Sequence, residues 1–106
     1  MITAFSAPSV SALPEAVRRT VARLSAEPAV RRVILFGSRA RGDARPRSDV
    51  DLAVEAPGAS AGEWLRLADI IEDADTLLSV DLVRLEEAPE DLHRRILAEG
   101  RTLYER

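Results

Sequence analysis

A chain of 106 residues can bury one modest core and has no room for a separate domain to grip a large acceptor. Without cysteine it can form neither disulfides nor thiolate metal sites, and a net charge of -3 with one Trp, one Tyr and two Phe argues against a general nucleic-acid binder. No apolar run approaches the roughly 20 residues of a spanning helix, and the N-terminus lacks the pattern of a secretory signal, so the expectation is a soluble, cytoplasmic protein without membrane contact.

The first residues are small and polar and are read as an N-terminal extension, residues 1–13, loosely packed at best. From Pro14 to about Ala26, Leu13, Val17, Val21 and Leu24 recur at helical spacing while Arg18, Arg19 and Arg23 fall on the solvent side. Val30 to Phe36 is apolar on both faces and rich in branched residues, which predicts a central strand ended by Gly37. A second strand is expected over Asp49 to Val54. The break Ala56-Pro57-Gly58-Ala59-Ser60 leads to a helix from about Ala61 to Leu77 that buries Trp64, Leu67, Ala68, Ile71, Ala74 and Leu78. Ser79 to Leu85 is a third strand. Pro89 opens a last helix with Leu92, Ile96 and Leu97 inward, Gly100 closes it, and Thr102 to Tyr104 adds a short edge segment. His93 and the acidic clusters Glu72-Asp73, Asp75, Glu86-Glu87 and Glu90-Asp91 read as solvated surface.

This order predicts a small α/β (α+β) domain over residues 14–106, a mixed sheet with helices packed on one face and the other face left for chemistry. The first two strands should run antiparallel if the end of one is to meet the start of the next.

Two stretches carry that chemistry. Gly37-Ser38 follows a buried strand and precedes a segment able to form a helical turn, where backbone N–H groups favour phosphate oxygens and glycine allows close approach. On its own it reads first as an ordinary strand-to-helix turn with Ser38 as cap. It is not a nucleoside-triphosphate P-loop, because Asp43 and Ala44 stand where the Lys and Ser/Thr belong. In Asp49-Val50-Asp51-Leu52 the period of two places both carboxylates on one face, about 6 to 7 Å apart at Cα, within reach of one divalent cation. A solvent-facing strand edge is the plain alternative. Asp81, which interrupts another apolar strand, turns the balance: three carboxylates beside a phosphate turn suit two magnesium ions and phosphoryl transfer. Arg39, Arg41, Arg45 and Arg47 lie within nine residues of one another, a patch suited to a polyphosphate, and Arg39 and Arg41 are candidates for contact with it.

Gly37-Ser38, ten residues, then Asp49-Val50-Asp51 resembles the G-S-x10-D-x-D signature of the nucleotidyltransferase superfamily that includes DNA polymerase beta. With Asp81 and the ending Gly100-Arg101-Thr102-Leu103-Tyr104-Glu105, the chain is similar to the minimal nucleotidyltransferases, the MntA-type antitoxins. The resemblance implies that Gly37 and Ser38 hold the triphosphate of ATP, that Asp49 and Asp51 bind two Mg2+ ions, and that Asp81 completes the metal site and helps deprotonate the acceptor. It also implies a partner, a helical HEPN-type ribonuclease toxin whose tyrosine receives AMP. The R-x4-6-H signature of such a ribonuclease is absent from this chain. Two alternatives stay open: a non-catalytic capping module of the same fold, and nucleotidyl transfer to a small molecule or an RNA end.

Overall fold

The computed structural model describes residues 13–106; the expected N-terminal extension, apart from Leu13, lies outside the described residues. In chain order the elements are α1 (Glu15–Ala26), β1 (Arg32–Phe36), a single-turn α2 (Ser38–Arg41), β2 (Val50–Glu55), α3 (Ala61–Glu72), β3 (Val80–Arg84), a short 3-10 turn (Leu85–Glu87), α4 (Glu90–Glu99) and β4 (Arg101–Glu105). The four strands form one mixed sheet in the order β3-β2-β1-β4. β1 pairs antiparallel with both β2 and β4, while β2 and β3 run parallel through the α3 crossover. The antiparallel pairing of the first two strands and the mixed sheet are as expected.

Strand periodicity divides the core in two. Val33 and Leu35 of β1 and Val50, Leu52 and Val54 of β2 point to one face, where they meet Val17, Val21 and Leu24 of α1 and Leu67 and Ile70 of α3. Each such fully buried side chain is worth about 1.5–3 kcal/mol. Ile34 and Ala53 point the other way, against Leu85 and Ile96, with Phe36, Val83 and Leu92 around them.

The expectation of helices on one face therefore holds for α1 and α3 and needs correcting for α4, which crosses the opposite face. The reason was already present in β1: a strand apolar on both sides must be covered on both. Leu97, expected inward, is half exposed. The second cluster is narrow, and Leu92 and Ile96, one turn apart, fill it.

α3 begins at a full capping box, with Ser60 Oγ accepting from the Glu63 N–H and Glu63 accepting from the Ser60 N–H. It ends at Glu72, five residues before the expected Leu77. Beyond it the Thr76 hydroxyl accepts from the Leu78 N–H, a local bond that competes with helix, and Leu77 stands fully exposed. The released segment is needed to bring Ser79 to the sheet, where its carbonyl accepts from the Val50 N–H at 2.8 Å.

Gly100 does close α4, but in extended backbone (φ -70) rather than a left-handed cap. Its lack of a side chain answers packing instead: a Cβ there would collide with Ile34 Cγ2 and the Ile96 carbonyl. β4 carries a bulge, with Val33 paired to Tyr104 and Ile34 to Thr102, so Leu103 is an extra residue and both Leu103 and Tyr104 are buried.

Candidate active site

β1 delivers the chain to Gly37 at φ +75, a left-handed value that favours glycine. The Gly37 carbonyl then accepts from the Ala40 and Arg41 N–H groups at 3.1 Å, which winds α2. Gly42, also left-handed at φ +86, ends it. A turn this short cannot satisfy the N–H groups of Ser38 and Arg39 internally, so they are available to an anion.

The sheet register places the acidic residues. Phe36 pairs with Asp51, which sets Gly37 beside that carboxylate: a Cβ on Gly37 would collide with Asp51 Oδ2 and lie 3.2 Å from Cγ. Glycine is thus required here by the neighbouring carboxylate as well as by backbone angle. On its other side Asp51 pairs in register with Asp81 of the parallel β3. Asp49 precedes β2 by one residue on the same side. All three carboxylates share the face covered by α4.

Burial holds the Asp51 carboxyl above the usual carboxylate range, and the negative charges of Asp81 and Asp49 and a hydrogen bond with Asp81 push it the same way; only Arg41 opposes. Among the described residues none of the three aspartates takes part in an ion pair. Nor do the described residues hold a ready-made group of three or more His, Cys, Asp or Glu closed around one ion. Hard oxygen donors, mutually repelling and without a cationic partner, fit magnesium, which commonly takes one or two carboxylates and completes its shell with substrate phosphates and water.

An open depression of about 530 Å³ lies over this junction. It is lined by the turn residues Gly37, Ser38 and Arg41, by Arg47, Ser48, Asp49 and Asp51, and by Phe36 and Arg95. Five of the seven residues singled out from sequence, Gly37, Ser38, Arg41, Asp49 and Asp51, therefore border one space. Asp81 adjoins it through Asp51.

Arg39 stands apart. Its guanidinium donates to the Ser48 carbonyl through Nε (3.1 Å) and Nη2 (2.9 Å) and to the Pro46 carbonyl through Nη2 (3.1 Å), so it faces the loop and not the depression. Arg41 is held by Asp43 (3.3 Å) and Glu99 (3.4 Å), and these carboxylates, Asp43 foremost, raise its pKa further.

Ser48, Arg47 and Arg95 were not singled out individually from the sequence. Arg47 lay in the basic run, but Arg95 carries no motif. Its one sequence signal is its place beside Ile96, on a helix assigned to the wrong face.

A strand-end Gly-Ser turn beside an acidic pair on the adjacent antiparallel strand is the arrangement expected from the sequence for a nucleotidyltransferase. The chain belongs to the family described as polymerase beta, nucleotidyltransferase, which matches residues 19–106. Comparison with curated protein sequences gives no match. Among solved structures the chain is similar to a toxin–antitoxin with AMP-PNP, at 27% identity over 83% of this chain and 73% of that one, with a TM-score of 0.66. A mutant form of the toxin–antitoxin MntA–HepT is 26% identical over 89% and 75%, with a TM-score of 0.65. At 22% identity, the fold is shared with a chain of the complex between a tri-AMPylated Shewanella oneidensis HEPN toxin and an MNT antitoxin, covering 87% and 69% with a TM-score of 0.57. The expected resemblance to minimal nucleotidyltransferases is thereby met. Among the described residues no helix is long and apolar enough to cross a membrane.

Proposed function

We propose that this protein is an antitoxin that transfers AMP from ATP to a hydroxyl, the acceptor being a tyrosine of a cognate HEPN-type toxin. The observation that carries the reading is the register Phe36–Asp51–Asp81, which draws the phosphate turn and two carboxylates from three strands into one corner of the sheet. The similarity to a nucleotide-bound toxin–antitoxin supports it.

In this reading the Gly37-Ser38 turn receives the β- and γ-phosphates on its free N–H groups and the Ser38 hydroxyl. Arg41, Arg47 and Arg95, which line the same space, neutralise phosphate charge. Asp49 and Asp51 would hold Mg2+, with Asp81 completing the set, and the metal would supply charge stabilisation at the phosphates and activation of the attacking oxygen. The acceptor oxygen forms a bond to the α-phosphorus, the bridging α–β P–O bond breaks, pyrophosphate departs, and a carboxylate oxygen of Asp81 takes the hydroxyl proton. Asp81 is exposed, so a protein-borne hydroxyl can reach it.

The test is intact-mass measurement on a HEPN-type toxin after incubation with ATP, Mg2+ and a small molar fraction of this protein. The expected result is a gain in units of AMP and inactivity that persists once the antitoxin is removed. Suppression at one-to-one stoichiometry, with unchanged mass and recovery on removal, would establish the capping alternative instead.

A further inference from the structure

We infer that Arg39 is a positioning residue that couples the phosphate turn to the metal carboxylates, rather than a contact to the nucleotide. The inference rests on the nucleotidyl-transfer reading of the site and adds a device to it.

Arg39 belongs to α2, whose backbone forms the phosphate turn, yet its guanidinium crosses to the loop before β2. Three hydrogen bonds of 2.9 to 3.1 Å end on the carbonyls of Pro46 and Ser48. The Ser48 carbonyl belongs to the peptide that begins Asp49, so fixing it fixes where the Asp49 side chain starts. Among the described residues no other side-chain hydrogen bond joins α2 to residues 44–48. The loop's own tie is local: the Arg45 N–H donates to Ser48 Oγ at 2.8 Å, and the Ser48 N–H returns to the Arg45 carbonyl at 3.0 Å.

Asp49 is exposed and lies just outside the β2 ladder, whereas Asp51 is held by strand neighbours on both sides. Of the two carboxylates on this strand it is the one whose position depends on the loop. A planar fork satisfying two carbonyls at once sets the spacing between turn and carboxylate, and an ammonium with the same charge has no such fork. The arrangement resembles the outer partners of metal ligands, which orient a ligand without touching the ion and whose loss commonly costs about 10- to 100-fold in metal affinity.

The experiment compares the full chain and Arg39→Lys in three measurements: Mn2+ titration in the presence of AMP-PNP, AMP-PNP titration in EDTA, and the rate of tryptic cleavage after Arg47. Arg39→Lys is expected to weaken Mn2+ binding roughly 10- to 100-fold, to leave metal-free AMP-PNP affinity unchanged, and to speed cleavage after Arg47. Retained Mn2+ affinity would overturn the inference. So would a loss in metal-free AMP-PNP binding equal to the loss in Mn2+ binding, the signature of a phosphate contact.

Should Arg39→Lys fail to fold by circular dichroism, Arg39→Gln, which replaces the charged fork with one neutral amide, decides in the same three measurements: a loss of Mn2+ affinity with metal-free AMP-PNP affinity unchanged supports the inference, and retained Mn2+ affinity overturns it. If the unaltered protein binds neither AMP-PNP nor Mn2+, the nucleotidyl-transfer reading fails; the tie itself is still judged by cleavage after Arg47, and an unchanged rate in Arg39→Lys would overturn it.

Discussion

The two faces of the sheet are made from the same four strands and do opposite work. On the face under α1 and α3, Val33, Leu35, Val50, Leu52 and Val54 are wholly buried in the larger of the two apolar clusters. On the face under α4, the apolar part shrinks to Ile34, Ala53, Leu85 and Ile96, and the rest of that surface carries Asp51 and Asp81 with Asp49 at its margin. On β2 the residues that point down, Val50, Leu52 and Val54, add to stability, whereas Asp51 between them points up and adds charge to a cluster that repels itself. A small protein can tolerate such a cluster because the opposite face supplies the core.

That contrast predicts that activity and stability can be separated by moving one residue along β2. The largest effect is expected from Asp49→Asn or Asp51→Asn, which should lower AMP transfer by more than about 100-fold, because even outer partners of metal ligands are worth roughly 10- to 100-fold. Thermal unfolding of either variant should occur at the same temperature as the unaltered protein or higher, since charge repulsion is relieved. Labelling with radioactive ATP and a toxin checks the first part, and unaltered labelling would remove these residues from the chemistry.

One position away, Leu52→Ala should do the reverse. A fully buried Leu truncated in a packed core costs about 2–5 kcal/mol, a large share of the stability of a domain this size. Denaturant unfolding should register that loss, while transfer per folded molecule stays near normal at low temperature. Equal loss of activity and stability would show that the two faces are not independent.

Gly37 and Gly100 sharpen the same division. Gly37→Val forces a side chain into the left-handed region and against Asp51, at about 1–3 kcal/mol for the backbone alone, and should abolish AMP-PNP binding in calorimetric titration. Gly100→Ala touches only packing between α4 and β1. It should cost about 1–3 kcal/mol by overpacking, visible as a lower melting temperature with nucleotide affinity preserved.

The smallest effect concerns pH. Asp51 has its pKa raised by folding, so the protonated form favours the native state. Its contribution to stability is present below the ordinary aspartate value and is lost as pH rises through the raised one. The metal-free protein and Asp51→Asn should therefore be equally stable in acid, with the variant gaining the advantage as pH climbs toward neutrality. Melting temperatures of both across that range, in EDTA, give the measurement; a constant difference would mean that Asp51 is not perturbed.

Much of this was legible in the sequence because it depends on local pattern. The period-two alternation of Val50, Leu52 and Val54 against Asp49 and Asp51 follows from strand geometry alone, and the spacing of Val17, Val21 and Leu24 announces α1 in the same way. Gly37-Ser38 marks a turn wherever it occurs after a buried strand. What a pattern cannot contain is which element covers which face, since that depends on how the sheet closes. Thus α4 crossed to the site face, brought Arg95 to its rim and left Leu97 half exposed, and Gly100, between α4 and β4, was needed for clearance from Ile34 and the Ile96 carbonyl rather than for its backbone freedom. Arg39 makes the same point. Composition marked it as a cation beside a Gly-Ser turn, whereas its guanidinium is taken up by carbonyls seven and nine residues further on, which only the folded loop brings within reach. The residue types were dictated by sequence; the direction in which each long side chain turns was decided by the hydrogen bonds the tertiary structure left open.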